Sequence, residues 1–133
     1  MTTEAVLGNF FAAYQNKAWN PSTVNCCLYL AAWAIWIGHY DPARHLRGFV
    51  CTEKDYLDLI ESRGGLVPIV SECVEIIRGM PVKIPSCGDV AVIGSQTNIH
   101  RQWGAIFDGK RWIVRGRSGL APLTARPLAM WKI

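Results

Sequence analysis

Asn25-Cys26-Cys27-Leu28-Tyr29-Leu30-Ala31-Ala32-Trp33-Ala34-Ile35-Trp36-Ile37-Gly38 is the stretch on which the fold turns. Apolar side chains fill nearly every position from Cys26 to Ile37, so no face of this helix suits water and the helix is expected to be central and buried. Trp33 and Trp36 are therefore read as core. Asn20-Pro21-Ser22-Thr23 breaks the chain ahead of the helix and caps it, and Gly38 ends it. Cys26 opens the helix at the positive end of its dipole, where thiolate is favoured over thiol. Cys27, one residue further in, is expected to turn to the core.

Working outward, the first half of the chain is helical. Val6, Leu7, Phe10, Phe11 and Tyr14 recur at helical spacing after Thr2-Thr3. Asp41-Pro42 reads as a cap followed by a first-turn proline, starting a short helix to Leu46. Thr52-Glu53-Lys54-Asp55 resembles a capping box with Asp in the acidic position, opening a helix through Tyr56, Leu59 and Ile60 that Gly64-Gly65 stops. A further helix is expected from Pro68 to Arg78, ended by Gly79-Met80-Pro81.

After Pro85 the period changes. Residues 89–93, 102–107 and 111–115 are rich in Val, Ile and aromatics, and Asp108-Gly109 between the last two is a hairpin signal. Residues 120–123 and 129–133 add two short edge strands. Asp89 in Gly88-Asp89-Val90 is read as capping the turn into its strand. The expectation is a single α+β domain over residues 1–133, helical to about residue 80 and sheet from about residue 86.

Composition narrows the classes. Half the residues are apolar and 18% are charged, which excludes a disordered chain. The longest apolar run is shorter than the roughly 20 residues that span a bilayer. Met1-Thr2-Thr3-Glu4 lacks the basic start and hydrophobic stretch of a signal peptide, so synthesis in a cytoplasm is expected. Cys26, Cys27, Cys51, Cys73 and Cys87 form no Cys-x-x-Cys pair and no regular spacing, which argues against a disulfide framework and a structural zinc site. No metal or other cofactor is expected. Residues 100–133 hold seven Lys/Arg against Asp108 alone, whereas residues 1–99 hold seven against nine acids. Such a basic second half suits an anionic neighbour or a solvated strand face.

Cysteine at a helix start, packed on a small sheet, resembles the papain-like layout, and the motifs resemble the NlpC-type cell-wall peptidases in particular. Asn25-Cys26-Cys27-Leu28 stands where those enzymes carry Asp-Cys-x-x-Leu, and Gly88-Asp89-Val90 where their first strand opens. A phage- and prophage-encoded branch of that superfamily, lying among tail genes, is closer still. Its pattern resembles Asn25-Cys26 with Leu28, Gly38-x-x-Asp41-Pro42-Ala43, Leu46-Arg47-Gly48 and Gly64-Gly65-Leu66. Gly88-Asp89-Val90, Gly119-Leu120 and Trp131-x-Ile133 complete it, over nearly the whole chain.

The resemblance implies Cys26 as nucleophile, and cysteine peptidase chemistry then needs an imidazole to take and return a proton. Here the chain departs from the pattern. Gln102-Trp103-Gly104 stands in place of His-x-Gly, and an amide is no base. His100, two residues earlier, faces the same side of a continuous strand about 6–7 Å away, which makes it the remaining candidate base. Val114 and Arg115 fall where the third, orienting residue would be. His39 lies at the far end of the Cys26 helix, and His45 is expected to be exposed or bonded to a loop carbonyl.

Three functions follow as expectations. The first is a degenerate peptidase fold serving as a structural part of a phage tail, made in the host cytoplasm and carried in the virion, with other tail proteins as partners. The alternative is an active cysteine peptidase or amidase that cleaves peptidoglycan crosslinks. A third is single-strand nucleic-acid binding through Lys110-Arg111, Trp112 and Arg115-Gly116-Arg117, although no nucleic-acid fold signature accompanies that cluster.

Overall fold

A computed structural model describes residues 1–133. At its centre lies α2 (Cys26–Trp36), buried along eight of its eleven residues. Its cap is Asn25 itself, not the Ser22-Thr23 pair, because the Asn25 side chain accepts hydrogen bonds from the Cys27 and Leu28 N–H groups. Residues 20–24 instead form a small loop closed by an Asn20–Val24 bridge. Against α2 lies α1 (Thr3–Tyr14), capped by Thr2 and burying Leu7, Phe10 and Tyr14. The two helices meet through rings: Phe10 and Trp33 centroids are 5.3 Å apart, and Tyr14 and Tyr29 centroids 5.4 Å. Trp33 is buried and its indole donates to the Gly88 carbonyl. Trp36, read as core, is half exposed. It sits on the last turn, edge-on to Phe10 and bordering an open groove.

The expected helix at residues 42–46 is only a single 3-10 turn (Arg44–Leu46), preceded by an Asp41 side chain that accepts from the Ala43 N–H. Thr52 and Asp55 form a full capping box on α3 (Glu53–Arg63). Gly64 and Gly65 both have positive φ, 79° and 119°, and turn the chain directly into α4 (Leu66–Ile76). That helix starts two residues before the expected Pro68. Proline is tolerated there because first-turn N–H groups have no intrahelical acceptor.

Six strands follow: β1 (Met80–Pro81), β2 (Val90–Gly94), β3 (Gln102–Phe107), β4 (Trp112–Gly116), β5 (Gly119–Pro122) and β6 (Pro127–Lys132). They form one antiparallel sheet in the order β1-β6-β2-β3-β4-β5. The unexpected β1 is two exposed residues paired with Trp131 and Lys132, too short to leave a periodic signal. Arg111 falls outside β4 because the Asp108 carboxylate holds the Lys110 and Arg111 N–H groups in the turn. Asp89 caps its turn by accepting from the Ser86 N–H.

Alternation along the strands assigns the two faces. Val90, Val92, Ile106 and Trp131 join the 24-residue core beneath the helices. Ala91, Ile93, Ala105, Trp112 and Val114 form a smaller cluster on the opposite face, covered by Phe107, Leu123, Ala125 and Met130. All four helices precede the sheet in the chain, with α2 packed on β3 and β4, so the architecture is α+β. None of these helices is long and apolar enough to cross a membrane.

Candidate functional site

Cys26, the first residue of α2, abuts the line along which β3 and β4 part. The β3–β4 ladder ends at Ala105 opposite Val114. One position further, the Cys26 Sγ donates to the Arg115 carbonyl at 3.6 Å. The carbonyl of Cys26 lies so close to Gly104 that a Cβ there would come within 2.5 Å of it. Only glycine lets the helix start approach the strand at this point.

The thiol is buried, and burial pushes its pKa up, although the Tyr56 hydroxyl, the Gly104 backbone and the Arg117 charge pull the other way. The expected helix-start activation is therefore outweighed. A helix terminus contributes about 0.3–1 kcal/mol to a surface charge, whereas full burial shifts a titration by up to several units. Asn25 also occupies two of the N–H groups that would otherwise face an anion.

Gln102, at the position where the base is expected, is engaged at both ends of its amide. Oε1 accepts from the Leu66 N–H at 2.9 Å and Nε2 donates to the Ser95 carbonyl at 2.9 Å. It thus caps α4, whose Gly65 has no side chain to do so, and a Cβ on Gly65 would meet Oε1 at 2.7 Å. His100 is not on a continuous strand with Gln102. The chain turns at residues 98–101, with the Arg101 N–H bonded to the Asn98 carbonyl. The His100 imidazole is half exposed, with Nε2 3.2 Å from the Glu61 carboxylate on α3. Cys26, His100 and Gln102 line one cleft with Trp19, Tyr56 and Trp103, yet the imidazole is paired to a carboxylate at its rim.

His39 is half-buried beyond the end of α2. His45 is exposed, one of the two expected outcomes, with Nε2 3.4 Å from the Glu72 carboxylate. No three His, Cys, Asp or Glu side chains gather as a metal site. All five cysteines are free. Cys27 is buried as expected, and burial, followed by the neighbouring Glu72 and Asp41 charges, pushes Cys73 to about 11.

The basic cluster read as a surface is divided. Arg117 binds Glu53 and lies over the Trp19 ring, 5.2 Å from its centroid. Arg111 sits near Asp108. Arg115 is interior, 1% exposed, with Nε and Nη1 buried and without a partner. The signal for this was present in the alternation of β4: Ile113 faces Leu7 and Phe11 of α1, and Arg115, two residues on, shares that side. The Trp19 Nε1 is also buried without an acceptor.

A family model described as "Domain of unknown function (DUF6950)" matches residues 2–133 of this chain. No curated protein and no solved structure matches it.

Proposed function

The chain belongs to that family, and we propose that it is a papain-like, NlpC-type domain with a non-catalytic cleft, serving as a structural part of a bacteriophage tail at or near the tip. The single observation that carries the non-catalytic reading is how the cleft uses its side chains. The Cys26 thiol is buried and bonded to a backbone carbonyl, the residue at the base position is a glutamine capping a helix, and His100 is paired with Glu61. A peptidase needs a thiol whose proton an imidazole can remove and return.

The papain-like assignment is supported by a cysteine at the start of a central helix, laid across two strands, with Gly104 at the point of closest approach. The tail assignment is supported by the order and spacing of motifs from Asn25-Cys26 to Trp131-x-Ile133. Exposed large apolar side chains agree with a part that stays in contact with other proteins. Tyr40, Phe49 and Ile84 are each at least 80% exposed. Other tail proteins are the proposed partners, the host cytoplasm the place of synthesis, and the virion the final location.

Active cleavage of peptidoglycan crosslinks is the second reading, favoured by Cys26 and His100 lining one cleft. It requires the turn at 98–101 to rearrange and His100 to leave Glu61. Three measurements, two on a phage that encodes the chain and one on purified peptidoglycan, decide between them. Mass spectrometry of purified particles is expected to find the chain in the tail, and deletion of its gene to leave incomplete tails. Peptide release from purified peptidoglycan that disappears in Cys26→Ala would overturn the non-catalytic reading. Complete tails without the chain would overturn the structural one.

A further inference from the structure

We infer that the cleft at the start of α2 binds a single carboxylate group, held by the Arg115 guanidinium with the Trp19 indole N–H as a second donor. The inference stands apart from the tail assignment. It rests on the burial of Arg115 and on what surrounds it.

Arg115 is 1% exposed and projects from the inner face of β4, where alternation places it with Ile113 beneath the helices. Its Nε and Nη1 have no partner, and the residue lines the cleft together with Cys26, Trp19 and Arg117. Removing a guanidinium from water without an opposing charge is strongly unfavourable, and an anion drawn in beside it relieves that cost. Of the nearby carboxylates, Glu53 holds Arg117 through Oε1 and leaves its buried Oε2 without a partner, and Glu61 lies against the His100 imidazole. Buried donors without acceptors are rare in folded proteins, and here Trp19, whose Nε1 has none, lines the same cleft as Arg115.

Charge and size choose the ligand class. Arg117 is neutralised by Glu53, so one uncompensated positive charge remains, which a monoanion matches and a phosphate dianion exceeds. A planar carboxylate also meets a guanidinium with two parallel hydrogen bonds. The cleft holds about 150 Å³, below the roughly 300 Å³ at which pockets for whole small molecules begin. It has room for the end of a chain, such as a peptide C-terminus or an acidic side chain.

The test titrates the full chain at constant ionic strength while following the Trp19 indole N–H by NMR. The probes are acetate, inorganic phosphate, N-acetyl-diglycine and the amide of N-acetyl-diglycine. Acetate is expected to shift that resonance saturably with a Kd of about millimolar order, and the peptide acid to bind at least about ten-fold tighter than its amide. A peptide acid tighter than acetate identifies a chain terminus as the source; equal affinities identify a free small carboxylate. Arg115→Met is expected to lose about ten-fold or more in affinity, with Arg115→Lys recovering part of it. Should Arg115→Met fail to fold, the acid-to-amide ratio in the unaltered chain decides alone. An unmoved Trp19 resonance, equal binding of acid and amide, or tighter binding of phosphate than acetate overturns the inference.

Discussion

The α2 wall of the cleft and the β3 wall share one backbone arrangement and carry opposite chemistry. On the α2 side, Asn25 caps the helix, Cys26 opens it, and the strand comes close enough that only Gly104 fits. On the β3 side, the residue two before that glycine is Gln102, and its amide joins the start of α4 to the Ser95 carbonyl. Features that set how a helix lies on a sheet (a cap, a glycine, a run of apolar side chains) are held by many contacts at once. A catalytic base is one side chain left free of other duties. Gln102 has such a duty, and the sulfur opposite it has settled into a hydrogen bond with a carbonyl.

The comparison can be broken most severely at the shared backbone. Gly104→Ala drives a methyl group toward the Cys26 carbonyl and Leu30, and is expected to cost about 3 kcal/mol, the upper range for overpacking. Thermal melting checks it; an unchanged melting temperature would contradict the close approach of α2 and β3. Gln102→Ala removes the acceptor for Leu66 N–H and the donor to Ser95, and is expected to cost about 1–2 kcal/mol with no effect on Cys26. Urea denaturation measures the first part. A stability unchanged in Gln102→Ala would mean that the amide is idle. His100→Ala comes last, at about 0.5 kcal/mol or less, because its pairing with Glu61 is exposed to solvent. An increase in Cys26 reactivity or a large loss of stability in that variant would tie His100 to the sulfur and contradict the separation drawn between them.

The elements legible in the sequence are those with local causes. The apolar run of α2, the Thr52–Asp55 capping box and the Asp108-Gly109 turn each have their determinants within a few residues, and the structure forms all three. What the sequence hid depends on distant partners. The early start of α4 needs Gly65 at positive φ and an amide from 36 residues away. The cap of α2 was concealed because several cap-forming residues crowd positions 20–25, and only the fold selects Asn25. His100 looked strand-like by counting back from Gln102, but the Asn98–Arg101 turn removes it from the strand. Arg115 reads as one of a basic cluster beside Trp112, although its phase with Ile113 on the strand marks it as inward. Placing a positive charge in the interior is costly enough that alternation alone is a weak guide.

The state of the Cys26 thiol is the most direct measure of how the cleft is used. Alkylation by iodoacetamide, followed residue by residue with mass spectrometry across pH 5 to 10, reports it. The exposed Cys51 is expected to react first at every pH. Because burial raises the Cys26 thiol above its ordinary range, its rate should remain low at neutral pH and keep climbing with pH, without a plateau below the usual thiol value of about 8.5. A Cys26 rate that exceeds that of Cys51 at pH 7 and levels off near neutrality would reveal a thiolate supported by a base, and with it a working catalytic site.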